Sequence, residues 1–336
     1  MPLPRRLLLP ALLTATAVSL TACGEGATDP GQSTEGGPLR IVTSTNVYGD
    51  IAASVGGDDV EVTSLVDSLS QDPHSYEATV QDKLSVSEAD LVIENGGGYD
   101  PFLARLADEA GLGNVLNVVE ISGLEDAAGA EGGVEQHADE EHPDEEHAGE
   151  HAEDDGHGHG TFNEHVWYDL ASMASLADAL AEELGRLDTA NAEAYRERAD
   201  DFTAQLAPLE DRLAALRDGA AGDEADVAVT EPVPLYLLED AGLHNVTPQD
   251  FTEAIEEESE VPIAVLEEMK ELVAGGSLTF LAYNDQTQGS QTEAVRAAAE
   301  DAGLPVLDFT ETIPDSEDYV SWMTSNTDSI EAALGS

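Results

Sequence analysis

Basic side chains are the scarcest ingredient of this chain: 12 Lys and Arg stand against 71 Asp and Glu, a formal net charge of −59 over 336 residues. Nucleic acid is thereby excluded as a partner, because neutralising phosphates needs clustered cations and the few present are scattered. The same charge repels anionic lipid headgroups and draws cations, and as a bulk property it keeps an exported or salt-adapted protein soluble. Cysteine occurs once, as Cys23, which rules out an intramolecular disulfide. Long apolar runs are also missing, and after the first residues no segment is long enough to span a bilayer. What is present is an apolar fraction of 41%, too high for a wholly disordered polyanion, in a length suited to two compact domains or one large one.

The first residues have their own pattern. Arg5 and Arg6 precede an apolar run of 14 residues from Leu7 to Leu20, and small residues lead to Cys23. Such an arrangement predicts a secretory signal. At about 1.5 Å per residue the run falls short of a bilayer core of about 30 Å. Leu20-Thr21-Ala22-Cys23 resembles the lipobox of bacterial lipoproteins, which implies removal of residues 1–22 and lipidation of Cys23. That cut removes two Arg and no acid, taking the formal charge to −61. Residues 23–38, rich in Gly, Thr, Ser, Glu and Pro, read as a flexible tether.

From Leu39 onward, short apolar strands alternate with amphipathic helices, which predicts an α/β fold with mostly parallel sheets covered on both faces. The pattern divides into an amino-terminal lobe over 39–169, connecting helices over 170–218 and a carboxy-terminal lobe over 219–336. Tyr195, Phe202, Leu206, Leu209, Leu213 and Leu216 mark one face of a long helix. Run as one piece from Asn191 to Arg217 it would be about 40 Å long, with Pro208 kinking it and removing one backbone hydrogen bond. A continuous helix between two lobes restricts hinge motion, since it lacks the loop residues that absorb large dihedral changes.

The alternation breaks over 131–160, where twelve acids and six of the nine histidines (His137, His142, His147, His151, His157 and His159) occur with no Lys or Arg. No apolar period survives, so this stretch is predicted to be a disordered loop. Imidazoles concentrated among carboxylates suit weak metal recruitment better than a dispensable insert does.

In open α/β sheets ligands bind beyond the carboxyl ends of the strands, which directs attention to the segments after each strand. Four carry chemistry: Asp72-Pro73-His74, His165-Val166-Trp167, Glu231-Pro232 and Glu311-Thr312. Two imidazoles and two carboxylates suit a first-row divalent ion, whereas calcium and magnesium prefer all-oxygen shells. Taken singly, each residue has a simpler reading: a surface or hydrogen-bonded histidine, or an acid at a helix N-terminus. Asn95-Gly96-Gly97-Gly98 lacks a following Lys and reads as a tight turn rather than a phosphate loop.

Taken together, the Asp72-Pro73-His74-Ser75-Tyr76-Glu77 segment, the acidic His-rich insert directly before His165-Val166-Trp167, the Leu235 to Leu243 segment, Tyr283-Asn284-Asp285-Gln286-Thr287 and Thr310-Glu311-Thr312-Ile313-Pro314 with Trp322-Met323 resemble the zinc/manganese solute-binding proteins of bacterial metal ABC transporters. The resemblance runs from about Leu39 to Leu334. It implies two lobes joined by a long backbone helix, with the ligand in the cleft between them and His74 and His165 as the first two metal ligands. At the third position, where typical members place a histidine, this chain has Glu231; His244 lies past the following helix. For the fourth, an acid, Glu311 matches better than Asp308. A shell of two histidines and two carboxylates is harder than the usual one and leans toward manganese or iron(II), while the His-rich insert resembles those of zinc-specific members. Zinc is taken first and manganese second.

The function implied is a non-enzymatic, monomeric receptor, lipid-anchored at the outer face of the cytoplasmic membrane, that passes its metal to the permease and ATPase subunits of an importer. Two other readings compete with it. A metal-dependent extracellular hydrolase would need an open coordination position, a water and a general base, and the chain has no His-Glu-x-x-His or Gly-x-Ser-x-Gly motif. In a metal-storing or adhesive surface lipoprotein, the His-rich loop would be the working element.

Overall fold

The computed structural model describes residues 37–125, 162–219, 225–257 and 259–335. The predicted signal peptide, Cys23, nearly all of the tether and the six histidines of 131–160 lie outside the described residues.

Strand β1 (Leu39–Thr45) is buried on both faces from Ile41 onward, as a central strand of a covered parallel sheet must be. It pairs in parallel with β2 (Val60–Val66) on one side and β3 (Leu91–Glu94) on the other, and β4 (Val115–Asn117) follows, giving the order β2-β1-β3-β4. Helices α1 (Asn46–Gly56), α2 (Val80–Ser87) and α3 (Pro101–Ala110) make the crossovers. Their ends follow local chemistry: Thr79 caps α2 in a capping box with Asp82, and α3 begins on Pro101 and stops at the left-handed Gly111. A short helix α4 (Val118–Ser122) leaves the last strand.

The second sheet repeats the plan. Strands β5 (Ala225–Val229), β6 (Leu243–Asn245), β7 (Leu281–Asn284) and β8 (Val306–Phe309) pair in parallel in the order β6-β5-β7-β8. Helices α7 (Leu235–Asp240), α8 (Gln249–Glu256), α9 (Ile263–Ala274) and α10 (Ser290–Ala302) connect them. Between the sheets in sequence lie α5 (Leu170–Leu187) and α6 (Ala192–Gly219), which pack together, and α11 (Tyr319–Leu334) closes the chain.

Helix α6 has 28 residues, a rod of about 42 Å, and runs unbroken through Pro208. Pro208 lies on the exposed side, opposite the buried stripe of Tyr195, Ala199, Phe202, Leu206, Leu209 and Leu213, so water can take the carbonyl that its missing N–H leaves free. The helix touches α1 of the first lobe and α7 and α11 of the second. Arg198 donates to the carbonyls of Val55 and Gly56 and to Asp59, and Arg212 grips Glu331 with two bonds of 2.9 and 2.7 Å. One apolar cluster runs from Ile41 and Tyr48 through Trp167 and the α5–α6 pair to Val229 and Phe280. The two lobes therefore share a core, and separating them would expose apolar surface at about 25 cal/mol per Å².

Candidate metal centre

The carboxyl ends of both sheets face one cleft, and each of the four sequence-predicted residues sits there on a loop just past a strand or before a helix. His74 follows β2 in an Asx-type turn: Asp72 Oδ1 accepts from the His74 backbone N–H at 2.9 Å and Oδ2 from Ser75 Oγ at 2.8 Å. The ring of His74 stands edge-on to Tyr99, with centroids 4.7 Å apart, and lies 5.7 Å from the ring of His165.

His165 is fully buried and leads into the turn Val166–Tyr168. Asn163 Oδ1 accepts from the His165 backbone N–H at 3.1 Å and meets Nδ1 at 2.6 Å. An amide oxygen can only accept, so Nδ1 carries the proton and Nε2 keeps its lone pair. That Nε2 is buried and has no hydrogen-bond partner among the described residues. Burial also pushes the His165 pKa down, which keeps the ring neutral near pH 7. A buried lone pair with nothing to accept from is costly in a protein that offers it no ion and natural in one that does.

Glu311, past β8, is fully buried. It accepts from Tyr99 Oη at 2.9 Å and from Asn284 Nδ2 at 2.8 Å, and His74 Nε2 lies 3.4 Å from its Oε2. Burial works against the charges on this pair, but each group stabilises the other: Glu311 is held below the usual carboxylate range and His74 well above the usual imidazole value. Glu231, past β5, is buried and accepts from Asn284 Nδ2 at 2.6 Å and from Thr287 Oγ1. Burial, then the Glu311 charge, push its carboxyl up to about 7.

One atom each from His74, His165 and Glu311 lies within 4.8 Å of the others, a span that modest side-chain adjustment would close around one ion with bonds of about 2.0–2.2 Å. Glu231 is outside that trio, one hydrogen-bond step away through Asn284, on the wall of a cavity of about 330 Å³ that Asp72, His74 and Glu256 also line. The two lesser candidates point elsewhere. Asp308 is 47% exposed and paired with Arg296 at 2.7 Å, and His244 is exposed beside Asp226.

Several residues of the cleft have no role assigned to them by the sequence alone. Asn284 ties two carboxylates together, and Gln286 bridges the lobes, donating to Gln71 O at 2.6 Å and accepting from the backbone N–H groups of Glu311 and Thr312. Tyr99 was hidden behind a glycine turn. Its only sequence signal was a buried-type aromatic directly after the three glycines. Asn163 and Glu164, at the entry to the His165 segment, lacked any motif of their own.

The chain and its fold have counterparts among known proteins. The family described as zinc-uptake complex component A, periplasmic (ZnuA), matches residues 41–333. The manganese-binding lipoprotein MntA of Halalkalibacterium halodurans is 27% identical over 229 residues, 68% of this chain and 66% of that protein. The manganese ABC transporter substrate-binding lipoprotein PsaA of Streptococcus anginosus is 23% identical over 333 residues, 96% of this chain and 97% of that one. Among solved structures, the periplasmic zinc-binding protein TroA from Treponema pallidum shares the fold with a TM-score of 0.66 at 20% identity, covering 89% of this chain and 99% of the other.

Proposed function

Since the chain belongs to the family of periplasmic zinc-uptake component A proteins, we propose that it is a non-enzymatic receptor that binds one divalent transition-metal ion between its lobes and delivers it to the permease and ATPase of an ABC importer. The observation that carries this reading is the buried Nε2 of His165, which has a lone pair and no partner, beside His74 and Glu311. His74, His165 and Glu311 are the proposed ligands of the tightly held ion, and Glu231 the fourth when it turns from Asn284 toward it.

The ion is the cargo. Two imidazoles and one carboxylate with a fourth position for Glu231 or water suit tetrahedral zinc, and this keeps zinc first. Recruitment of Glu231 hardens the shell and is what favours manganese, the metal in the names of the relatives above. The proton on His74 leaves when the ion enters, so capture replaces the His74–Glu311 hydrogen bond with two bonds to metal. The remaining parts of the proposal are a lipid on Cys23, a place at the outer face of the cytoplasmic membrane and a monomeric state. In it, the His-rich segment 131–160 recruits metal weakly. Neither a hydrolase nor a storage protein is supported by the relatives' names.

Native mass spectrometry with elemental analysis of the purified protein tests the reading. One tightly held zinc or manganese per chain, lost in His74→Ala and in His165→Ala, is expected. Retention of the tight ion in both variants would discard the assignment, and several weak ions abolished by deleting 131–160 would favour storage.

A further inference from the structure

A second group of potential donors shares His165 with the first. Glu164, His165 and Glu256 each offer one ligand atom within 4.8 Å of the others. Glu256 is the last residue of α8, where the helix's partial negative charge opposes a carboxylate. Glu164 is only 6% exposed, and the hydrogen bond it receives from Asn95 goes to its backbone carbonyl rather than its carboxylate. Among the described residues neither acid forms an ion pair with Lys or Arg. Two carboxylates have thus been gathered with no Lys or Arg paired to either and only the His74 ring to offset their charge, an arrangement that a bound divalent cation would relieve further.

An acidic pair alone would say little, but the histidine beside it adds an independent observation. Nδ1 of His165 is occupied by Asn163, so the ring nitrogen free to accept an ion is the buried, unpartnered Nε2. Glu256 also lines the cavity that His74 and Glu231 line, so one cavity reaches a member of each group.

We propose that Glu164, Glu256 and His165 form a second divalent-metal position, a transfer site from which the ion passes to His74, His165 and Glu311 by exchanging its carboxylate ligands around His165. The inference rests on the receptor reading above. The ion keeps its bond to His165 while those to Glu164 and Glu256 break and those to His74 and Glu311 form, and no electron changes hands. Keeping one ligand throughout spares the ion full rehydration inside a buried cleft, and the one-step exchange makes loading fast without adding to the final shell. Occupancy of the transfer site is transient in the unaltered protein because the primary trio outcompetes it.

Removing His74 should strand the ion at the transfer site. Crystals of the full chain carrying His74→Ala, soaked in Co²⁺ and measured at the cobalt edge, are expected to show an anomalous peak bonded to Glu164, Glu256 and His165. The peak should vanish in His74→Ala/Glu256→Gln. In solution, Co²⁺ titration read through Trp167, whose ring centroid is 5.1 Å from that of His165, provides a second measurement. Affinity should fall about a hundredfold in His74→Ala and about tenfold more with Glu256→Gln added. No peak at Glu164 and Glu256 in His74→Ala, a peak that survives Glu256→Gln, or equal affinities of the two variants would each overturn the transfer site. Unaltered protein with no cobalt at His74, His165 and Glu311 would overturn the receptor reading instead.

Discussion

Tyr99, on the first lobe, donates its hydroxyl across the cleft to Glu311 on the second, at 2.9 Å. The turn before it makes this reach possible. Gly96, Gly97 and Gly98 all have positive φ, a conformation glycine adopts freely and other residues rarely, and a Cβ on Gly97 would press to 3.1 Å on a Val119 methyl. The bond holds one Glu311 oxygen in place while leaving lone pairs free for a metal. Tyr99→Phe is expected to weaken metal binding about tenfold, the usual range for loss of a group that orients a ligand. Folding stability should drop by about 1–2 kcal/mol, because Glu311 keeps its bond from Asn284. Competitive chelator titration and thermal melts measure the two effects, and an unchanged affinity would show that Glu311 needs no orienting group.

Asn163 plays the corresponding part for His165. With its Oδ1 removed, the proton can move to Nε2 and block the lone pair that the ion requires. Asn163→Ala should therefore cost about 10–100-fold in affinity, and Asn163→Asp, which still accepts from Nδ1, should recover most of it. If both variants bind as weakly as each other, the tautomer argument fails and Asn163 acts by its bond to Pro232 O instead.

These two residues mark where sequence reading ran out. The strand–helix alternation was visible because buried parallel strands and amphipathic crossovers each carry a strong local period, and the long α6 stripe could be read residue by residue. Strand β6, three residues long, is too short to show a period in the sequence. His74 and His165 stood out through Asp-Pro-His and His-x-Trp. Nothing local marked Asn284 as a link between Glu231 and Glu311, because the two acids lie 53 and 27 positions from it and meet it only after the second sheet forms. The distance that keeps Glu231 from the trio is likewise a tertiary fact.

Metal affinity should rise with pH. In the empty site the Glu311 charge and hydrogen bond outweigh burial and keep His74 protonated at neutral pH, and Glu231 titrates at about 7. An entering ion must displace the His74 proton, so affinity should gain about tenfold per pH unit while that proton is still bound. Calorimetry in buffers of different ionisation enthalpy should detect about one proton released per ion at pH 7, and more if Glu231 joins. The empty protein's stability should follow the opposite logic. The raised His74 contributes fully below its unfolded value of about 6.5 and is lost as pH rises through its folded value; the depressed Glu311 contributes above about 4.3 and is lost as pH falls through its own. The pair should therefore stabilise the metal-free protein most between those two values. A melting temperature of the empty protein that climbs steadily from pH 6 to 9 would contradict the assignment.

In the proposed site, Glu231 is expected to set which metal the cleft prefers. It is held by Asn284 and Thr287, outside the trio, and its carboxyl at about 7 is half protonated at neutral pH, so recruiting it has a cost. Zinc, content with four ligands, can complete its shell with water in place of Glu231. Manganese favours oxygen donors and higher coordination, and gains more from the extra carboxylate. Glu231→Gln keeps the bulk and an acceptor for Asn284 while removing the charge. The variant should lose about 10–100-fold in manganese affinity but less than about tenfold in zinc affinity, shifting selectivity toward zinc. Parallel competition titrations with the two ions measure the ratio. Equal losses would mean that Glu231 enters the shell of both metals, and the hydrogen bonds from Asn284 and Thr287 would then describe only the empty state.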